Sequence, residues 1–368
     1  MNPFSIKTYQ GPEYFFDREK ESAKVLDAIH SDRNLTLFSH RRLGKTMLIQ
    51  HVFSKLDKEA FQPIYIDLFA TRNLIQFAQN LSEVFYSGKI IQESRLNKFL
   101  GNLGASLSFD PLSGTPKINF NLVNRENAIR SLPELFRSIR DLNKNVVIAF
   151  DEFQEVAGYE EDTAEATIRT IMQSSPEITF LFSGSKKSLM KEIFSDTKRP
   201  FFQSTQMMEL HEIDRSNYAR EVFVILDKHN KHYEEEVIYR ILDMTYCHTG
   251  FTQMVLSRIF SESEETIDHN LFEQVWSDIL EDHKSIAREQ EFLLPALQWK
   301  TLVAIAREEF VKAPQSRDFS IKYDLSSPSS MARSVQALLD KGLIIESGDR
   351  GLRLYNVFIQ KNLQSIYG

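Results

Sequence analysis

The chain has a single cysteine, Cys247, so it can form neither an intrachain disulfide nor a metal site built from several thiolates; the ordinary role of such a residue is that of a small buried hydrophobe. It has no run approaching eighteen apolar residues, which excludes a membrane-spanning helix. Residues Met1 to Lys7 contain no apolar core of signal-peptide length, and a cytoplasmic protein with no membrane partner is the expectation. Positive charge is not in excess either. A net charge of -7 gives no general attraction for nucleic acid or an anionic membrane, although a local basic face is compatible with that sum. What is present is the composition of a soluble globular protein, and 368 residues are enough for two or three domains with cores of ordinary size.

The stretch Leu35 to Ile49 carries the first chemistry. It reads as a short strand (Leu35 to Phe38), a tight loop and a helix opening on Gly44-Lys45-Thr46, the context a phosphate-binding loop requires. Backbone N–H groups and the helix dipole favour an anion there, Lys45 can reach the β- and γ-phosphates, and the Thr46 hydroxyl can ligate Mg²⁺. His40, Arg41, Arg42, Leu43 and Met47 complete the candidate nucleotide contacts. Ser39 stands where the G-x-x-x-x-G-K-[ST] pattern has its first glycine. The alternative is a strand, turn and helix that merely contain Gly-Lys-Thr, so corroboration must come from elsewhere in the chain.

Upstream, Asp17 followed by Glu19 and Glu21 reads as an N-terminal cap for a helix carrying Val25, Leu26 and Ile29. Downstream, Pro63 to Leu68 reads as a buried strand, and Leu74 to Leu103 is dominated by helical periodicity. Ser106 to Asp110 and Lys117 to Asn121 alternate around a Pro- and Gly-containing turn, a β-hairpin signal near residues 105–122 that serves either as decoration or as a partner-binding finger. Asn145 to Phe150 is an apolar strand ending in Asp151-Glu152. In such a pattern the first carboxylate holds Mg²⁺ through water, and the second orients and deprotonates the attacking water. The spacing from Lys45 to Asp151 suits one or two helix–strand crossovers plus the hairpin, so both motifs can belong to one parallel sheet. Thr163 to Gln173 reads as a helix, and Glu177 to Phe182 as a buried strand ending in Ser183-Gly184-Ser185. Ser183 or Ser185 is a γ-phosphate sensor candidate where a strand lies between the two motif strands; a plain Ser-Gly-Ser turn is the alternative.

From Ile213 to Leu280 the pattern is helical, with Tyr218, Phe223, Leu226, Val237, Ile241 and Leu242 as core candidates. Three helical segments (Trp299 to Ala306, Asp318 to Tyr323, Ser329 to Leu339) and two strand-like pieces (Leu343 to Glu346, Gly351 to Tyr355) then follow the order of a winged helix. From Leu294 to Gly368, ten Lys and Arg stand against seven Asp and Glu, a sign that suits DNA. The third helix offers only Arg333, Gln336 and Lys341 to a groove, so packing on the rest of the chain or protein binding is at least as good a reading.

Taken together, Arg41-Arg42-Leu43-Gly44-Lys45-Thr46, Asp151-Glu152-Phe153-Gln154, the strand ending Gly184-Ser185, and Arg199 before Pro200-Phe201-Phe202-Gln203 resemble the bacterial and archaeal ATPases of the AAA+/STAND lineage. Small residues in place of the first loop glycine occur in that setting. The resemblance runs from about Phe15 to the C-terminus and implies an α/β P-loop NTPase with a parallel sheet (1–210), a helical lid (211–290) and a C-terminal winged helix (291–368). It implies ATP or ADP with Mg²⁺ as ligands, Arg18 and Glu19 beside the adenine with Asp17 in the usual glycine position, and Arg199 as arginine finger or γ-phosphate sensor. An ion-paired Arg199 before a proline turn is the alternative. Cys247 to Gln253 takes the place of a G-H-P-x-x-x-Q segment, matched at His248 and Gln253 with Thr249 for the proline; a buried or capping His248 is the competing account. Asn356 stands for Asp in a D-P-x-F-like close. The expected function is Mg²⁺-dependent ATP hydrolysis, slow and used as a conformational switch, with Lys45 and Glu152 as catalytic residues and Thr46 and Asp151 as metal ligands. The alternative is a nucleotide-bound DNA-binding or protein-interaction module in which hydrolysis is incidental. The partner is an unspecified protein or a second copy of the chain.

Overall fold

A computed structural model of the chain describes residues 2–4, 9–15, 17–88, 90, 105–109, 116–120, 132–137, 139 and 142–368. It divides into two compact units, Lys7–Ile213 and Asp214–Gly368 together with Met1–Ile6.

The first unit is built on a five-stranded sheet in the order β2-β5-β6-β1-β7. The strands are β1 (Leu35–Phe38), β2 (Phe61–Asp67), β5 (Asn145–Asp151), β6 (Ile178–Gly184) and β7 (Gln206–Glu209), and every pairing is parallel. Because β1, β5 and β6 are covered on both faces they are apolar almost throughout, whereas β2 lies at the edge, has a mixed burial pattern and accommodates Pro63. Side chains alternate across the sheet. Val147, Ala149 and Leu181 pack with Val25, Ile29, Leu48 and Val52 of α1 (Glu19–His30) and α2 (Lys45–Lys55). Ile148, Phe150, Phe180 and Phe182 pack on the other face with α3 (Leu74–Ser87), α4 (Ala164–Gln173) and α5 (Lys187–Ser195). Since all five strands point the same way, their C-terminal ends lie along one edge, the edge at which open α/β sheets bind ligands.

The hairpin expected near 105–122 is present as β3 (Ala105–Phe109) and β4 (Pro116–Phe120), paired antiparallel from Ala105↔Phe120 to Phe109↔Pro116. Its turn, Asp110 to Thr115, and Asn121 and Leu122 lie outside the described residues, as does most of the helical reading beyond Gly88 up to Leu103. One expectation is corrected. Asp17 does not cap α1: the helix begins at Glu19, and its N-cap is Arg18 in a left-handed conformation with φ 96° and no side-chain cap bond. The segment from Met190 to Leu210 contains a fifth strand, β7, that its sequence does not advertise.

In the second unit α6 (Arg215–Lys228), α7 (Glu235–Met244), α8 (Thr249–Glu262) and α9 (His269–Leu293) precede α10 (Ala296–Glu308), α11 (Arg317–Lys322) and α12 (Pro328–Asp340). Tyr218, Leu226, Val237, Ile241 and Leu242 are buried, as their spacing requires, and Phe223 is half-buried. A two-residue parallel ladder joins β8 (His232–Tyr233) to β9 (Thr266–Ile267). The wing is β10 (Ile344–Glu346) against β11 (Leu352–Leu354), widened by a bridge from Val311 to Leu352. A terminal helix not read from the sequence, α13 (Val357–Tyr367), packs on α9 and α10. Asn356 starts it, its side chain accepting from Phe358 N at 2.9 Å and Ile359 N at 3.2 Å. Asn serves here as Asp would, since a cap needs only a side-chain oxygen.

Candidate nucleotide site at the C-terminal edge of the sheet

Strand β1 delivers the chain into the loop Ser39 to Gly44, which closes on the N-terminus of α2. Gly44 is the N-cap of α2 with φ 95°, a left-handed conformation that a side chain would strain. The opening N–H groups of a helix have no partners within it, so this turn presents donors to an anion. Lys45 is buried and turned back into the loop, donating to Ser39 Oγ and His40 O, both at 3.1 Å. Burial pushes its ammonium down to about 8 against the pull of Glu152 and Asp151. Ser39 therefore fills the place of the first glycine with a side chain that does something: its oxygen holds the lysine. Arg41 and Arg42 are exposed, Leu43 is packed into the core, and Met47 is half-buried on the first turn of α2.

Strand β5 delivers Asp151 to the same edge, and α2 and β5 meet there. Thr46 Oγ1 donates to Asp151 Oδ2 at 2.6 Å. Tyr65 of β2 donates to the same oxygen at 2.7 Å, and Asp151 Oδ1 accepts from Ser183 Oγ and from Glu152 N at 3.0 Å. The carboxylate is 3% exposed and is thus surrounded by three hydroxyls and an amide. Beside it Glu152 adopts a left-handed conformation, φ 53°, that turns the chain into the 3-10 helix Phe153–Gly158. Its carboxylate accepts from Gln154 Nε2 and from Ser185 Oγ at 2.7 Å. Gln154 in turn accepts from Ser185 N at 3.2 Å, and a Cβ at Gly184 would collide with Gln154 Oε1 and with Met190 Sδ, so any other residue there must displace one of these side chains. An all-oxygen donor set of one hydroxyl and one carboxylate, next to a lysine-bearing anion cradle, fits a hard divalent cation that shares its coordination with phosphates.

A family model described as "ATPase domain predominantly from Archaea" matches residues 15–245, more than half of the chain. The chain belongs to this ATPase family. A second model, described as "Probable winged helix domain", matches residues 288–365 of the chain. An uncharacterised ATP-binding protein of Pyrococcus horikoshii is 28% identical over 148 residues, 39% of this chain and 44% of that protein, so the match spans less than half of that curated relative. Among solved structures, the Walker-type ATPase of Pyrococcus abyssi is similar with a TM-score of 0.68 at 18% identity, over 98% of this chain and 99% of that one. The ORC2 protein of Aeropyrum pernix in its ADPNP–ADP complexes gives 0.61 at 16% identity, over 99% and 98% of the two chains. At such identities the likeness is one of fold: an AAA+-type P-loop sheet followed by a winged helix.

The remaining candidate residues divide into two groups. Arg18 is brought to the loop: it is 4% exposed, pairs with Glu21 at 3.0 Å and donates to Leu43 O at 3.4 Å, tying the start of α1 to the turn before Gly44. Arg199 has other partners, Glu165 of α4 at 2.7 Å and Glu192 of α5, and so clasps two helices. His248 is fully buried and caps α8, accepting from Phe251 N at 3.4 Å. The sequence reading missed Tyr65 and the Gln154–Ser185 brace. Tyr65 sits one strand away from Asp151 across 86 positions of chain, a separation no local pattern reveals. Burial and the neighbouring Asp151 raise its phenol far above the ordinary range, so it remains a donor. Asp67, opposite Asp151 in the β2–β5 register, is raised mainly by burial, then by Asp151 and Glu152.

Proposed function

We propose that this protein binds ATP with Mg²⁺ at the edge formed by the Ser39–Thr46 loop and the Asp151-Glu152 tip, and hydrolyses it slowly. The observation that carries the reading is the 2.6 Å bond from Thr46 to Asp151, which joins the helix of the anion-binding turn to the acidic tip of β5. Lys45 would leave Ser39 and His40 for the β- and γ-phosphates, with the loop amides around them. Thr46 and Asp151 would hold Mg²⁺, which when bound neutralises developing phosphate charge. Glu152, steadied by Gln154 and Ser185, would orient water and take its proton. Ser183, bound to Asp151 and fully buried, is better suited to fixing that carboxylate than to meeting the γ-phosphate. Arg18 supports the loop from behind. Arg199, engaged by Glu165 and Glu192, would have to leave both acids to act as a finger, and its present bonds favour a clasp within the α/β unit.

Within this reading α6 to α9 act as the lid and α10 to α13 as the winged helix, and nucleotide turnover resets a conformational switch read by a protein partner or a second copy. The experiment is paired. Equilibrium binding of ATP and ADP to the parent chain and to Lys45→Ala tests the cradle, and single-turnover hydrolysis by Glu152→Gln tests the base. Binding lost in the first variant and hydrolysis lost with binding kept in the second is the expected pattern; hydrolysis unchanged in Glu152→Gln would remove the mechanism. Contact with DNA is less favoured, since Gln336 on α12 is engaged by Asp340 at 2.9 Å and Arg333 by Ser330 at 3.3 Å. A salt-dependent shift of duplex DNA that disappears in Arg333→Ala/Lys341→Ala would reinstate it.

A further inference from the structure

A carboxylate has about four lone-pair positions, and in Asp151 each is matched by a donor: Thr46 and Tyr65 on Oδ2, Ser183 and the Glu152 amide on Oδ1. An acid that reaches a hydrated cation through water needs one of those positions free. As it stands Asp151 has none to offer, so admission of the cation requires one donor to withdraw.

The four donors are not equally able to do so. The Glu152 amide is backbone, fixed by the turn out of β5. Ser183 is fully buried on the central strand β6, on a short side chain whose hydroxyl stays close to the strand. Thr46 can keep its hydrogen on Asp151 while its oxygen lone pair faces a cation, so its bond is compatible with both states. Tyr65 differs on every count: it is half-buried, it stands on the edge strand β2, and its hydroxyl is the far end of a long side chain that a small rotation moves away. We infer that Tyr65 is the exchangeable donor, a built-in competitor that occupies the cation's place on Asp151 Oδ2 and must withdraw when Mg²⁺ enters. The inference rests on the nucleotide-site reading above and adds to it a residue that sets how much Mg²⁺ the site demands.

A competitor and a positioning group make opposite predictions for Tyr65→Phe, which deletes only the hydroxyl. Affinity for a fluorescent ATP analogue is measured on the full chain across a Mg²⁺ titration and in EDTA. If Tyr65 competes, the half-saturating Mg²⁺ concentration falls about three- to tenfold in Tyr65→Phe, which at about 1.4 kcal/mol per tenfold is the ordinary net worth of one hydrogen bond, and the ratio of affinities with and without Mg²⁺ rises. A half-saturating concentration that rises, or that stays within twofold of the parent, overturns the inference. A structure of the parent chain with Mg²⁺ and nucleotide supplies an independent reading free of any substitution: the Tyr65 hydroxyl is expected beyond about 3.5 Å from Asp151, and a retained bond refutes the exchange. Should the parent bind no nucleotide under either condition, the site reading itself fails; should the parent bind Mg²⁺–nucleotide while Tyr65→Phe titrates like it, only the role of Tyr65 fails.

Discussion

Two buried charges, one in each unit, show how differently the same kind of residue can be used. Asp151 ends β5 in the α/β unit and is surrounded by hydroxyls and one amide. Arg353 sits on β11 of the wing, 1% exposed, with Nη1 donating to Leu354 O at 2.9 Å and to Tyr355 O at 3.4 Å and its guanidinium 4.5 Å from the centre of the Tyr246 ring. Tyr246 donates to Glu309 and accepts from Gln360 at 3.2 Å. A hydroxyl at the end of a long, half-buried side chain, as in Tyr65, can be exchanged for water, a cation or a phosphate with little rearrangement. Backbone carbonyls and an aromatic face cannot. The first network is therefore open to a ligand and the second is closed on itself, so damage to the first should appear in binding and damage to the second in stability.

Lys45→Ala gives the largest separation: nucleotide affinity is expected to fall at least a hundredfold, about 3 kcal/mol on the usual scale, while the thermal midpoint stays level or rises, because a buried ammonium is removed. A lowered midpoint would show that Lys45 also supports the fold. Arg353→Ala should do the reverse. It opens a large polar-lined hole and frees two carbonyls, a loss of about 3 kcal/mol in urea unfolding, with nucleotide affinity within twofold of the parent. Loss of affinity in step with stability would break the contrast.

His51 on α2 extends the test to pH. Its ring accepts or donates at 2.9 Å to Tyr9 and stacks on Phe15 at 4.0 Å, and burial pushes it down to about 4. Below pH 6.5 the unfolded chain takes up a proton that the folded ring refuses until about pH 4. Its contribution is therefore complete above pH 6.5 and is lost as the pH falls through that window. The parent should lose roughly 2 kcal/mol more than His51→Phe between pH 7 and pH 4.5; equal slopes for the two proteins would remove His51 as the cause. Gly184→Ala is expected to cost about 1–3 kcal/mol through its collision with Gln154 and Met190, and hydrolysis should fall further than binding because the brace on Glu152 is displaced. The smallest effect belongs to Ser39→Gly. Lys45 loses one of its loop acceptors, and nucleotide affinity should rise no more than about threefold, well under the worth of a whole hydrogen bond to a charged group.

The parts of this molecule that were legible from sequence are those whose cause is local. β1, β5 and β6 announce themselves as apolar runs because a central parallel strand is buried on both faces, and Gly44-Lys45-Thr46 and Asp151-Glu152 can be read because their chemistry is written in adjacent residues. β7 is four residues, Gln206 to Glu209, with no β-branched side chain, and becomes a strand only because β1 lies beside it. α13 is hidden in the sequence because Asn356 reads there as a departure from a motif, whereas its physical role is to cap. Arg18 in place of Asp17 at the start of α1 depends on a backbone conformation that composition does not reveal. Tyr65 and Gly184 matter through contacts made across the sheet edge, which exist only once the strands are ordered.

Glu152 stands in a region of backbone space that costs an ordinary residue about 1–2 kcal/mol in steric strain that glycine does not bear. A glycine at that position would relax the turn out of β5. The acid is thus the less comfortable choice for the fold, and the two braces from Gln154 and Ser185 hold in place a residue the backbone would sooner be without. Substitutions that stabilise this protein should accordingly cluster where they do most harm to its chemistry. A screen for heat resistance alone would be expected to return Glu152→Gly among its winners, and with it a protein without the acid proposed to activate water.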